Sequence, residues 1–195
     1  MMRRHKGLIL AVTIAALIAP AGGTSATDSV RADQAYDFRL VNQDNQPVRL
    51  SEFRGKTVLV SYIFTRCPMP TMCPLVTSKM AQVQAQVNKI LKDKVVLVSI
   101  SFDPAYDTPE VLREYGERYG ADFSNWQFLT GDAAEIQAAA QDANVIYEDM
   151  GEGNFTHNMN TVLIAPDGTV RQRFRGSGWN ARDVVEGIQG IVSQR

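Results

Sequence analysis

Cysteine and histidine are scarce in this chain. Its 195 residues include two cysteines, Cys67 and Cys73, and two histidines, His5 and His157. Structural zinc prefers four closed ligands, and no third cysteine is present to help complete such a set, which makes zinc the less natural metal. In an oxidising compartment, two cysteines alone would predict a structural disulfide. The residues around them must therefore distinguish a disulfide from a functional site.

Long hydrophobic runs are also lacking. The apolar run at residues 8–19 has 12 residues, whereas a helix needs about 20 to span a bilayer. Basic residues precede this run, and small residues ending at Thr24-Ser25-Ala26 follow it, which is the layout of a secretory signal. We therefore expect residues 1–26 to be a signal peptide, or alternatively an N-terminal anchor that associates with the membrane through residues 8–19. Either form predicts an exported protein, periplasmic or anchored to the membrane and facing the periplasm.

A surplus of positive charge is missing as well. Without residues 1–26 the chain keeps 17 Lys and Arg against 21 Asp and Glu, a net charge of −4. A nucleic-acid-binding protein would need a basic face, so we expect no nucleic-acid partner. The remaining residues, 27–195, are sufficient for one domain with a sizeable core.

Hydrophobic periodicity predicts alternating strands and helices. Residues 57–64 and 95–102 are continuous apolar runs, typical of strands that are buried on both faces. A helical pattern at 75–91 connects them, which predicts a right-handed crossover and a parallel pair. Pro166-Asp167-Gly168 lies between two further apolar runs and predicts an antiparallel hairpin at the edge. Further helices are predicted after Thr108 and at 133–143 and 182–192. The order predicts an α/β fold, compatible with a thioredoxin-like central mixed sheet flanked by helices.

Both cysteines fall in the segment between the first buried strand and its helix. In open α/β sheets, ligands bind beyond the carboxyl ends of the strands, which is where this segment lies. Cys73 followed by Pro74 indicates the first turn of the helix, where backbone N–H groups and the helix dipole would favour a thiolate. Five residues, Pro68 to Met72, separate the cysteines, and the two prolines among them restrict the loop.

Two thiolates and one neutral imidazole would form a soft ligand set of low coordination number. Such a set suits Cu(I), and it also resembles the Cys and His ligands of some Cu(II) sites. His157 lies in the polar stretch 153–160, which we expect to be a flexible loop leading into the hairpin. In a thioredoxin-like core this loop lies beside the start of the helix that carries the thiols. We therefore predict that Cys67, Cys73 and His157 bind one copper ion per chain. Met69 and Met72 either assist Cu(I) or simply pack.

The same cysteines allow a different chemistry. Cys67 and Cys73 could be the redox dithiol of a thiol–disulfide reductase, an enzyme on the same fold. Two features count against it: the usual spacing is Cys-x-x-Cys, and Asn160 stands where thioredoxin-type enzymes have a cis-proline before the hairpin strand. A structural disulfide without a site is a third interpretation, but it leaves His157 unexplained.

A series of short motifs resembles the Sco/SenC family of copper-delivery proteins over essentially the whole chain after residue 26. The motifs are Gly55-Lys56, Phe64-Thr65-Arg66-Cys67-Pro68, Cys73-Pro74, Ser101-Phe102-Asp103-Pro104, Asp107-Thr108-Pro109-Glu110-Val111-Leu112, and Thr156-His157 ahead of Pro166-Asp167-Gly168. The resemblance implies a thioredoxin-like fold and copper held by Cys67, Cys73 and His157. It also implies a copper-receiving client, the dinuclear copper centre of a respiratory oxidase subunit. The commoner family loop has three residues between the cysteines, whereas this loop has five.

Two sets of charged residues have simpler interpretations beside functional ones. Asp103 and Asp107 flank Pro104 after the second buried strand, where they either cap a turn and a helix or support the site and its partner. Arg171, Arg173 and Arg175 alternate along one predicted strand. They are expected to form a solvated face on an edge strand.

Overall fold

The computed structural model describes residues 34–194. The predicted signal peptide at residues 1–26 therefore lies outside the described residues. The described strands are β1 (Arg39–Asn42), β2 (Pro47–Arg49), β3 (Thr57–Ile63), β4 (Val95–Ser101), β5 (Trp126–Thr130), β6 (Tyr147–Asp149), β7 (Phe155–His157), β8 (Asn160–Ile164) and β9 (Val170–Arg175). The described α-helices are α1 (Cys73–Val87), α2 (Pro109–Arg118), α3 (Ala133–Asp142) and α4 (Ala181–Ser193). Short 3₁₀ turns cover Leu50–Phe53 and Lys92–Lys94.

A seven-stranded mixed sheet forms the centre of the described fold, in the order β2-β1-β5-β4-β3-β8-β9. Strand β4 runs parallel to both β3 and β5, and β8 runs antiparallel to β3 and to β9. Every residue of β3 and β4 is buried, which requires cover on both faces of the sheet there. The predicted parallel pair, its connecting helix and the edge hairpin are confirmed. The arrangement is a thioredoxin-like α/β fold.

The helix boundaries follow from local sequence signals. Thr108 is the N-cap of α2, where its side chain accepts a hydrogen bond from the backbone N–H of Val111, and Pro109 occupies the first helical position. The left-handed φ of +68° at Gly120 fits the end of the same helix. Among residues 34–194, no helix combines the length and the hydrophobicity that crossing a membrane requires.

A two-stranded ribbon of β6 and β7 occupies part of the stretch 153–160, so the expectation of a loop is wrong for residues 155–157. Strand β7 pairs with β6 in an antiparallel sheet of its own. Aromatic contacts hold the ribbon on the main sheet: the ring of Phe155 lies 5.2 Å from that of Phe64, and the ring of Tyr147 stacks at 4.8 Å on Phe102. Phe64 and Phe102 directly follow β3 and β4, so the ribbon covers the carboxyl ends of these two strands.

Close packing around Gly116 of α2 gives a prediction about stability. A Cβ atom at this position would lie 2.7 Å from Cε1 of Phe123 and 2.9 Å from Cε2 of the fully buried Phe128. We expect Gly116→Ala to lower the free energy of unfolding by about 1–3 kcal/mol, measured by urea denaturation, because the rings have to move. Gly190→Ala in α4 is the matched control, since a Cβ there meets nothing within 4 Å. It should leave stability unchanged or raise it by up to about 1 kcal/mol. Equal losses in both variants would contradict the packing argument.

Candidate metal centre

The two cysteines lie where β3 passes into α1. Cys73 is the first residue of α1 and is fully buried, while Pro74 occupies the second position, where a missing N–H costs no helical hydrogen bond. The loop before it is held by a hydrogen bond from the N–H of Met72 to the carbonyl of Met69, 3.0 Å long. Cys67 is partly exposed. The pair therefore consists of one buried sulfur and one that is accessible to solvent and to partners.

His157 lies at the end of the ribbon, with its ring directed at the cysteines. Its Nε2 atom is 4.0 Å from the Sγ atom of Cys73, and its Nδ1 atom is 2.9 Å from the carbonyl oxygen of Asn158. Because a carbonyl only accepts, Nδ1 must carry the proton, which leaves the lone pair of Nε2 facing the thiols. The ring also packs edge-on against Phe64, with the ring centres 5.7 Å apart. A fixed tautomer and ring orientation are typical of metal-binding histidines.

The three predicted donors converge. One ligand atom from each of Cys67, Cys73 and His157 lies within 4.8 Å of the other two, and no second group of this kind occurs between residues 34 and 194. Metal–sulfur and metal–nitrogen bonds of about 2.0–2.3 Å place donors around one ion up to about 4.6 Å apart. The side chains therefore need to move only slightly to close on an ion. Two sulfurs and one neutral nitrogen suit Cu(I) better than a closed zinc site with four ligands.

The pKa values of the two thiols are shifted in opposite directions. A hydrogen bond from the thiol of Cys73 lowers the pKa of Cys67 to about 5, against the opposing effect of burial. The same hydrogen bond raises the pKa of Cys73, and burial raises it further. The backbone N–H group at the helix start lowers the pKa of Cys73, as expected, but Cys67 and burial outweigh this effect. Of the two sulfurs, the partly exposed Cys67 has the lowered pKa and the buried Cys73 the raised one.

This charge distribution predicts selective alkylation. In reduced, metal-free protein at pH 7, iodoacetamide should modify Cys67 well before Cys73, because only Cys67 is both accessible and ionised. Its rate should fall as the pH drops through about 5, where the thiolate of Cys67 takes up its proton. Fragmentation of the peptide that contains both residues locates the label. The control is Cys73→Ser, in which Cys67 should still react. Equal labelling of both cysteines in the unaltered protein would contradict this picture.

A buried carboxylate supports the chain just before Cys67. Asp107 is fully buried and accepts hydrogen bonds from the backbone N–H and the hydroxyl of Thr65 and from the hydroxyl of Ser101. Burial raises the pKa of Asp107. The carboxylate thus ties the end of β4 to the residue two positions before Cys67. Of the two interpretations of Asp107, support of the site is the one that these contacts favour.

Arg66 connects the cysteine loop to the ribbon that carries His157. Its Nη2 atom is 2.6 Å from Oδ2 of the buried Asp103, and its guanidinium lies 4.0 Å over the ring of Tyr106. The guanidinium also packs against Gly153, where a Cβ atom would collide with it. This role could not be predicted from the sequence, because no local pattern distinguishes an arginine beside a cysteine from a solvated one. Its position next to Cys67 was the single available signal.

The methionines of the cysteine loop differ in exposure. Met69 is 51% exposed, whereas Met72 is half-buried and packs against the core. Thioether participation in metal binding therefore stays a prediction for both residues.

Comparison with known proteins relates the whole described fold to one family. The sequence model of the SCO1/SenC family matches residues 26–193. The "SCO1 protein homolog" of Bacillus subtilis is 32% identical over 178 residues, which cover 90% of each chain. A Stutzerimonas stutzeri protein named "Putative copper-binding protein" is 30% identical over 161 residues, covering 80% of this chain and 74% of that one.

A solved structure agrees with the sequence matches. BsSco, described as having a disulfide switch and as "a member of the Sco family of cytochrome c oxidase assembly proteins", superposes with a TM-score of 0.72. It is 27% identical to this protein, and the superposition covers 83% of this chain and 95% of that one. The chain therefore belongs to the SCO1/SenC family.

Proposed function

We propose that this protein holds one copper ion between Cys67, Cys73 and His157 and delivers it to the copper centre of a respiratory oxidase. The observation that carries the proposal is the convergence of two sulfurs and one imidazole nitrogen within 4.8 Å. Two relatives support it, since one is named for copper binding and the other belongs to a family of cytochrome c oxidase assembly proteins.

The protonation of the three donors suits capture of a soft cation. The lowered pKa of Cys67 favours the thiolate form that binds metal, and the lone pair of Nε2 of His157 faces the thiols. Cys73 keeps its proton in the free protein and loses it when the metal binds, so binding releases about one proton per ion near neutral pH. Partial exposure of Cys67 gives an incoming ligand of the client a path to the ion.

Metal analysis of residues 27–195 tests the binding half of the proposal. The reduced protein is loaded with Cu(I), desalted and assayed, and we expect one copper per chain. Delivery is tested by mixing the loaded protein with the metal-free, soluble copper-accepting domain of an oxidase subunit and separating the two. Copper that stays with the donor at equilibrium would count against delivery while leaving binding intact.

A thiol–disulfide reductase is the second candidate, favoured by the unequal cysteine pair. The Cys67 thiolate would attack a client disulfide, forming a mixed disulfide and expelling one client thiolate. Cys73, deprotonated by that thiolate, would then attack the sulfur of Cys67 and release the second client thiolate. Two electrons pass from this protein to the client. Insulin reduction measured beside copper affinity separates the candidates: rapid turnover with weak copper binding would favour the reductase, and slow turnover with tight binding would favour the carrier.

Export is part of the proposal. Residues 1–26 have the layout of a signal segment, and we place the protein in the periplasm, either released or held at the membrane through residues 8–19. Fractionation of cells that express the full chain tests this placement, since a cytoplasmic pool of uncleaved protein would contradict it.

A further inference from the structure

A groove of about 690 Å³ opens beside the metal centre. Its lining includes Met72, Ile146, Asn158 and Arg175. Met72 directly precedes Cys73, and Asn158 directly follows His157. The groove therefore shares two of its walls with the segments that present two of the three donors.

The lining of the groove includes groups without partners in the described fold. Ile146 is 72% exposed, which is unusual for a large aliphatic side chain. The amide of Asn158 is already engaged, since its oxygen accepts from the N–H of Ile146 and its nitrogen donates to the carbonyl of Asn144. The guanidinium of Arg175 is exposed and makes no hydrogen bond or ion pair with any residue between 34 and 194. An apolar side chain and an unpaired cation thus face the same groove.

Positive charge continues from the groove along the edge of the sheet. Arg171, Arg173 and Arg175 alternate along β9 and are all exposed. Arg171 lies at a register irregularity of the β8–β9 pair, whereas Arg173 and Arg175 lie two residues apart on the regular part of β9 and share one face. Arg173 donates to the carbonyl oxygen of Asp142, 3.1 Å away. The chain as a whole carries 20 basic against 21 acidic residues. The positive charge of Arg173 and Arg175 is therefore local to this edge of the sheet, and it complements an acidic partner surface.

We propose that this groove seats an acidic segment of the copper-accepting partner, with a carboxylate paired to Arg175 and an apolar side chain covering Ile146. The inference rests on the proposed function and adds the surface and the chemistry of the partner. Ligand exchange requires the partner's donors to come within about 2.3 Å of the ion, so the partner has to dock directly beside the centre. A carboxylate that accepts two parallel hydrogen bonds from a guanidinium is fixed in orientation as well as in position.

Copper transfer measured with a charge-reversed groove tests this inference. The copper-loaded protein is mixed with the metal-free, soluble copper-accepting domain of an oxidase subunit, and transfer is followed at several salt concentrations. Arg175→Glu should lower the transfer rate constant at least about tenfold at low salt and weaken its salt dependence. Arg182→Glu is the matched control, because this exposed arginine of α4 makes the same change of charge outside the groove. It should stay within about twofold of the unaltered protein. Both variants should still bind one copper per chain.

Complex formation, measured by calorimetry with the same acceptor domain, separates failure of the groove from failure of delivery. If the unaltered protein binds copper and the acceptor but does not transfer the metal, delivery is wrong, and a tenfold weaker complex for Arg175→Glu alone still supports the groove. Equal binding and transfer by Arg175→Glu and Arg182→Glu would overturn the groove as the docking site. Loss of self-association in Arg175→Glu, with unchanged binding of the acceptor, would overturn it in favour of a second copy as the occupant.

Discussion

Replacing either Cys67 or Cys73 with serine should remove nearly all copper from the protein. Each change leaves one thiolate and replaces the other sulfur with a hydroxyl, a poor ligand for Cu(I). Changes to groups that merely orient metal ligands cost about 10–100-fold in affinity, so loss of a ligand should exceed about 100-fold. Competition with a chromophoric Cu(I) chelator measures this loss directly.

The same loop provides the control for the cysteine variants. Thr71→Ala changes an exposed residue that lies between the cysteines and has no sulfur, and it should retain one copper per chain. Urea denaturation of the metal-free forms shows whether a variant has lost the fold along with the site. Tight copper retention in both serine variants would contradict the assignment of the thiols as ligands.

His157→Ala should weaken Cu(II) far more than Cu(I). Two thiolates can hold Cu(I) alone, whereas Cu(II) prefers a fuller, tetragonal set of ligands that includes nitrogen. We expect Cu(II) affinity to fall by more than about 100-fold and Cu(I) affinity by less than about tenfold. The sulfur-to-copper absorption of the Cu(II) form and its electron paramagnetic resonance spectrum report the change.

A neighbour on the same short strand serves as the control for His157. Thr156 is exposed on β7 and pairs with Glu148, so Thr156→Ala keeps the ribbon and removes a side chain that points away from the centre. Its Cu(II) spectrum should match that of the unaltered protein. An unchanged spectrum in His157→Ala would show that the imidazole is not a ligand.

The parts of the fold that sequence could predict are those with strong local signals. The runs at 57–64 and 95–102 are apolar at nearly every position, and both are buried strands, because only a sheet covered on both faces accepts such a run. Pro74 directly after Cys73 indicates a helix start at the thiol, and α1 does begin at Cys73. These signals place the cysteines correctly at the end of β3.

The ribbon that carries His157 could not be predicted from local sequence. Its strands have three residues each, too few to display an alternating pattern. They are held by rings from distant segments, with Phe155 5.4 Å from Phe102 and 5.2 Å from Phe64. Long-range contacts of this kind override local propensity, which favours a loop in a stretch rich in glycine and asparagine.

The charge state of the cysteine pair could not be predicted from the sequence either. A helix start favours a thiolate in general, but here the pKa of the buried Cys73 is raised and that of the partly exposed Cys67 is lowered. The outcome depends on how close the two sulfurs lie and on which of them is buried. Neither quantity follows from the five residues that separate the cysteines. The ion pair between Arg66 and Asp103 could not be predicted either, because the two residues lie 37 positions apart in the sequence.

Copper retention by the reduced and the oxidised forms of one preparation tests the ligand assignment most directly. The sulfurs of Cys67 and Cys73 lie within 4.8 Å of each other, so a modest closure would form a disulfide with its bond of about 2.05 Å. Oxidation consumes both thiolates, and the metal then has one imidazole left to bind it. We predict one copper per chain in the dithiol form, none in the disulfide form, and full recovery after reduction. Equal copper binding by the disulfide form would contradict the proposed centre.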